Sequence, residues 1–160
     1  MGTKKKKGDS SLITQNRRAR FDYEILTTYE AGIVLLGTEV KALRNGAIKL
    51  DDAHVQEVSH GLEIVNLYIP EYNKAHSRQQ HNTKRPRVLL LHKREIKKIA
   101  SMLARDGLTM IPLKMFFNEK GFVKVLLGLG RGKKLVDRRQ SIKSREWNIQ
   151  QKRVLKNYNS

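Results

Sequence analysis

The residues in this chain that could do chemistry are few and poorly grouped. Asp51 and Asp52 are paired carboxylates of the kind that hold magnesium for phosphodiester cleavage. They are adjacent, however, and neighbours along a strand face opposite sides, so the pair reads as a turn or strand entry after Leu50. His54, His60, His76, His81 and His92 show no H-E-x-x-H spacing, whereas zinc needs three or four convergent ligands. They are expected on the surface or in loops, and no metal or cofactor is expected. "GLGRGKK" at 128–134 has the closely spaced glycines that let backbone N–H groups approach phosphate. A P-loop would follow its lysine with Ser or Thr, where this chain has Lys133 and Lys134, and G-x-G-x-x-G would need glycine at 133. The stretch reads as the exit from a strand. With no Ser/His/Asp or Cys/His pattern either, no catalysis is expected.

The positive signal is cationic. Lys and Arg number 33 against 15 Asp and Glu, a formal net charge of +18. An ordinary surface intersperses both signs. Here the cations cluster at Lys4, Lys5, Lys6 and Lys7, at Arg17, Arg18 and Arg20, in the loop carrying Lys74, Arg78, Lys84, Arg85 and Arg87, and from Arg131 onward. The last 30 residues hold ten Lys or Arg against Asp137 and Glu146, with Trp147 as an aromatic able to stack on a base. The planar donors of arginine suit phosphates and bases. Nucleic acid is therefore the leading partner class.

At 160 residues the chain fits one domain with appendages. The lack of cysteine excludes disulfides and thiolate metal sites and fits a reducing compartment, so the cytoplasm is expected. No apolar run approaches the roughly 18 residues of a membrane-spanning helix. Residues 1–10 lack the apolar stretch of a secretory signal, and Lys6 stands where a myristoylation motif needs Ser or Thr. No membrane partner is expected.

Residues 1–15 read as a disordered basic arm, too polar to offset their ordering entropy. Phe21, Tyr23, Ile25, Thr27 and Tyr29 alternate with polar residues as in a half-buried strand, and "EAG" at 30–32 reads as a turn. Thr38 and Glu39 start a two-turn helix that ends at Asn45-Gly46, with Val40 and Leu43 inward and Lys41 and Arg44 toward solvent or a ligand. Residues 52–58 and 62–69 predict a hairpin, and 71–87 a long polar loop. The spacing of Ile96, Ile99, Ala100 and Leu103 predicts a helix over 92–107. A final hairpin brackets residues 118–121, with Pro112 marking an edge or a bulge. Hairpins at short intervals argue for a mainly β fold: a small antiparallel barrel of OB type over 16–130, with two or three short helices and a basic tail over 131–160.

"NRRARFDY" at 16–23, "YEAGIVLLGTEVKALRNG" at 29–46, "KRPRVLLLHKREI" at 84–96 and "RGKKLVDRRQSIKSREW" at 131–147 resemble, in order and interval, the SsrA-binding protein (small protein B) family. The resemblance implies a bacterial, cytoplasmic, non-enzymatic monomer with an OB-type barrel. Such a protein binds the tRNA-like domain of transfer-messenger RNA and brings it, with elongation factor Tu, to stalled ribosomes. It implies an RNA surface at Asn16, Arg17, Arg18, Arg20, Glu30, Lys41 and Arg44, with Lys133 and Lys134 beside it. It also implies a tail, disordered when free, that turns helical in the decoding centre and messenger channel, carrying Asp137, Arg138, Arg139, Lys143, Arg145 and Trp147. Val136 departs from the family pattern, where an aromatic residue or histidine is common, and valine cannot stack on a base. Gln140 stands where glutamate is frequent. The alternative reading is a ribosome-associated structural RNA-binding protein.

Overall fold

A computed structural model describes residues 11–45, 48–105, 107–133 and 135–158. Chain order is β1 (Ser11–Gln15), α1 (Ala19–Asp22), β2 (Tyr23–Ile33), α2 (Gly37–Asn45), β3 (His54–Val58), β4 (Gly61–Val65), a 3-10 turn (Ser77–Gln79), β5 (Arg87–Leu90), α3 (Lys93–Leu103), β6 (Leu108–Phe117), β7 (Val123–Gly132) and α4 (Leu135–Tyr158). The strands form one seven-stranded sheet in the order β1-β6-β7-β2-β5-β4-β3, and every pairing is antiparallel. β3, at one edge, lies against β6, next to the other edge, so the sheet curls on itself. Among the described residues no strand pairing closes it.

The spine is the β2/β7 pair, in register from Tyr23 opposite Gly132 to Gly32 opposite Lys124. In β2 the polar/apolar alternation sets burial residue by residue, with Tyr23, Ile25, Thr27 and Tyr29 half-buried and Glu24, Leu26, Thr28 and Glu30 exposed. The pairing slips between Ile25 and Thr27, a bulge that bends the strand. Gly130 pairs with Ile25 there, and a Cβ at Gly130 would run into the Glu24 carbonyl oxygen. Pro112, unable to donate to the ladder, sits where the β6/β7 register shifts, so the expected bulge is present. Leu62, Ile64, Met110, Met115 and Leu127 fill the curled interior, covered by Leu43 of α2 and Ile99 of α3.

Three expectations are corrected. The arm expected over 1–15 contains β1, because Ile13 packs against the core, Thr14 Oγ1 donates to the Ile48 carbonyl at 3.0 Å, and pairing satisfies the free backbone edge of β6. Residues 1–10 lie outside the described part. "EAG" continues β2 rather than turning, since Ala31 and Gly32 still pair with Val125 and Lys124. The tail, expected to be disordered when free and helical on the ribosome, is one 24-residue helix about 36 Å long. No glycine or proline interrupts residues 135–158, and Arg, Lys, Gln and Leu are strong helix formers.

The 71–87 loop is also built rather than slack. Tyr72 N–H donates to Gln80 Oε1 at 3.2 Å, and Gln80 Nε2 donates back to the Tyr72 carbonyl at 2.6 Å.

Candidate nucleic-acid interface

The first sector is the corner where β1 turns into α1. Asn16 is buried: its N–H donates to the Leu113 carbonyl at 2.7 Å, Nδ2 donates to the Pro112 carbonyl at 3.2 Å, and Oδ1 accepts from Ala19 N–H at 3.1 Å. With its amide engaged at both ends, Asn16 fixes the turn. What it fixes is the projection of Arg17, Arg18 and Arg20, all exposed on either side of buried Ala19. Lys133 closes the corner from the other end of the chain. Its N–H donates to the Asp22 carbonyl at 2.8 Å and its Nζ to the Arg20 carbonyl at 3.0 Å. Residues 113 positions apart in sequence thus place one cationic corner at the root of α4. Lys134 lies outside the described residues.

Glu30 forms the second sector. It is exposed on β2 opposite Leu126, so it serves no turn and its carboxylate faces outward. A carboxylate there can accept from base or 2′-OH donors.

The third sector is α2, where Lys41 and Arg44 are exposed but border different hollows. Lys41 Nζ lies 5.6 Å from the centre of the Tyr72 ring, and Tyr72 borders a groove of about 300 Å³ between Asn45 and Lys74. Arg44 lines a separate cleft of about 600 Å³ with Leu12 and Phe117.

What holds α2 in place was not foreseen from the sequence. Glu39 and Arg87 are both fully buried. Glu39 Oε1 accepts from Arg87 Nε at 2.7 Å and from Arg85 Nε at 2.9 Å; Oε2 accepts from Arg85 NH2 at 2.7 Å and from Leu36 N–H at 2.8 Å. Arg87 also donates to the carbonyls of Leu67, at 2.6 Å, and Thr83, at 3.3 Å. Burial alone pushes the Glu39 carboxyl up, but the Arg85 hydrogen bond, Leu36 N–H and Arg87 outweigh it, holding the group below its ordinary range. Burial draws the Arg87 guanidinium down, against the pull of Glu39. Arg87, and much of Arg85, therefore leave the cationic surface on which sequence clustering placed them. The signal was in "KRPR": Pro86 keeps the segment extended, so Arg85 and Arg87, two apart, point the same way.

His81 is corrected likewise. Expected in a surface loop, it is buried, with Nε2 3.1 Å from the Ile69 carbonyl and Nδ1 2.9 Å from Thr38 Oγ1. A carbonyl only accepts, so Nε2 donates, and in the neutral ring Nδ1 accepts from the Thr38 hydroxyl. Among the described residues no three His, Asp or Glu side chains converge as metal ligands.

The last sector is α4. Asp137 and Arg138 fall in its first turn, followed by Arg139, Lys143, Arg145 and Trp147. Arg139, Lys143 and Trp147 recur at i, i+4 and i+8, so two cations and a ring share one stripe, with Arg145 on another. Trp147 is 61% exposed and packs in no core. The corner, Glu30, α2 and α4 offer phosphate donors, one acceptor and one stacking ring.

An SsrA-binding protein of Parvibaculum lavamentivorans is 49% identical over 157 residues, 97% of this chain and 94% of the relative. One from Methylobacterium nodulans is 50% identical over 145 residues, 91% of this chain and 92% of the relative. A chain of the solved structure described as "tmRNA-SmpB: a journey to the center of the bacterial ribosome" superposes with a TM-score of 0.64 at 49% identity, over 76% of this chain and 85% of that one. The family model described as SmpB protein matches residues 13–157, and this chain belongs to that family.

Proposed function

We propose that this protein is an RNA-binding adaptor of trans-translation: it binds the tRNA-like domain of transfer-messenger RNA and delivers it to stalled ribosomes, so that incomplete proteins are tagged for degradation. The curled sheet acts as an OB-type barrel. The RNA lies against Arg17, Arg18, Arg20 and Lys133, with Glu30 accepting from a base or 2′-OH and Lys41 and Arg44 extending the contact. Lys134 adds a further cation there. α4 enters the decoding centre and the empty messenger channel, where Asp137, Arg138, Arg139, Lys143, Arg145 and Trp147 meet ribosomal RNA. Elongation factor Tu joins in delivery, and the protein works as a cytoplasmic monomer that makes and breaks no bond.

The observation that carries this reading is the junction of body and tail. Lys133 staples the root of α4 to the Arg20 corner, so one structural unit holds the RNA-facing cations and carries a helix of about 36 Å. Relatives named for SsrA binding, at 49% and 50% identity, give that geometry its ligand.

Removing residues 135–160 tests the division of labour. The shortened protein is expected to bind the tRNA-like domain within about threefold of the full chain, and to lose peptide tagging on stalled ribosomes in a reconstituted translation system. Loss of RNA binding together with tagging would defeat the assignment.

A further inference from the structure

α3 carries a surface that this reading does not use. Its residues Ile96, Ile99, Ala100 and Leu103 face the core and its partners, with Ile99 fully buried. Lys93, Arg94, Lys97 and Lys98 are all exposed. At about 100° per residue these four and Ser101 fall within an arc of about 140°, clear of the apolar face. The one acid of the helix, Glu95, lies outside that arc, and its Oε2 accepts from His92 N–H at 3.1 Å. Among the described residues no salt bridge engages the four cations.

Two features make this arrangement unfavourable for the isolated helix. Lys93/Lys97 and Arg94/Lys98 are like-charge pairs at i, i+4, each destabilising by about 0.2–0.5 kcal/mol. Lys93 and Arg94 also occupy the first turn, where the helix dipole repels cations, while the last turn holds none. A sequence optimised only for helix stability would place these charges the other way round. The arc also contains no apolar residue, so it lacks the apolar centre of a protein–protein interface. Its placement gives it a direction. α3 leads through Arg105, whose carbonyl accepts from Leu108 N–H at 3.4 Å, into the start of β6, where Leu108 pairs with Arg131 near the root of α4.

We propose that the exposed face of α3, through Lys93, Arg94, Lys97 and Lys98, is a second RNA surface that takes the phosphate backbone of an RNA duplex, separate from the surface at Arg17, Arg18 and Arg20. Duplex RNA suits it because such helices are recognised by backbone and shape rather than by base edges. The cations bind phosphates, release counterions and relieve their mutual repulsion.

The test uses the full chain and two probes: a blunt RNA duplex of about twenty base pairs with no loop, and the tRNA-like domain of transfer-messenger RNA. In the variant Lys93→Gln/Arg94→Gln/Lys97→Gln/Lys98→Gln, the slope of log affinity against log salt for the duplex is expected to fall by about 3 units, with a loss of more than tenfold near 0.1 M salt. Affinity for the tRNA-like domain is expected to stay within threefold. The milder Lys93→Gln/Lys97→Gln is expected to show about half the slope change, which keeps the test valid should the fourfold variant fold poorly. A control, Lys49→Gln/Arg78→Gln/Lys84→Gln/Lys120→Gln, removes as much charge from exposed positions elsewhere. Equal losses in control and α3 variants would reduce the effect to net charge and overturn the proposal, as would an unchanged duplex slope. Failure of the wild-type protein to bind the tRNA-like domain, with the duplex result intact, would count against the function proposed above and not against this surface.

Discussion

Arg85 and Arg87 in "KRPR" and Arg17, Arg18 and Arg20 in "NRRAR" are arginines in equally basic stretches, yet their surroundings are opposite. Arg87 has no exposed surface and spends its donors on Glu39, Leu67 and Thr83. The three at the α1 corner are exposed, and among the described residues no salt bridge engages their guanidinium groups. What separates the two sets is a buried acid. α2 presents the fully buried Glu39 to β5, whereas the acids near the α1 corner, Asp22, Asp51 and Asp52, line an open hollow with Arg18. A run of cations marks a ligand surface only after the buried carboxylates have taken their share.

The largest effect should come from removing that acid. Glu39→Gln leaves Arg87 buried without its counter-charge, and breaking such a pair costs about 3–5 kcal/mol. Urea unfolding should show a loss of that size, while Arg18→Gln stays within about 0.5 kcal/mol of the parent. A small loss in Glu39→Gln would mean that α2 is held by packing alone. The same carboxylate predicts a pH dependence. Its folded value lies below its ordinary 4.5, so the stability it contributes is fully present above that pH and is lost as pH falls through the lowered value. Below about pH 4.5 the parent should lose stability more steeply than Glu39→Gln.

Next in size is Gly130, on the strand that delivers the tail. Adding a Cβ there drives it into the Glu24 backbone, which cannot swing away as a side chain can. Gly130→Ala should cost about 1–3 kcal/mol, the range for overpacking, seen as a lower unfolding midpoint. Gly132→Ala, with open space around the same atom, is the matched control and should change little.

These contrasts show which parts of the molecule could be read from residue order. The alternation in β2, the Ile96–Ile99–Leu103 face of α3 and the bulge at Pro112 were legible because each depends on local periodicity or on one residue's backbone chemistry. β1 was missed because its pattern is weak and its stabilisation comes from the edge of β6, about a hundred residues later. The Glu39 cluster and His81 were missed for the same physical reason, since their partners lie 46, 48, 43 and 12 residues away. Within the candidate surface, residue types located the cations at Arg17, Arg18 and Arg20. Only the fold revealed that Asn16 positions them and that Lys133 joins them.

Lys41 lies between the two extremes and supplies the smallest test. It is exposed like the α1 cations, yet its Nζ sits 5.6 Å from the Tyr72 ring centre, within the range of a cation–π contact worth about 0.5–1 kcal/mol at an exposed site. If that contact fixes Lys41 in the free protein, a double-mutant cycle with Lys41→Met and Tyr72→Leu should give a coupling of that size in urea unfolding. If Lys41 also meets RNA phosphate, Lys41→Met should lower the salt slope for the tRNA-like domain by about 0.7–0.9, the value for one contact. Coupling without a slope change would move Lys41 to the structural side of the comparison, beside Arg85. A slope change without coupling would place it with Arg17, Arg18 and Arg20, and both together would mean that Tyr72 holds the ammonium group ready for the RNA.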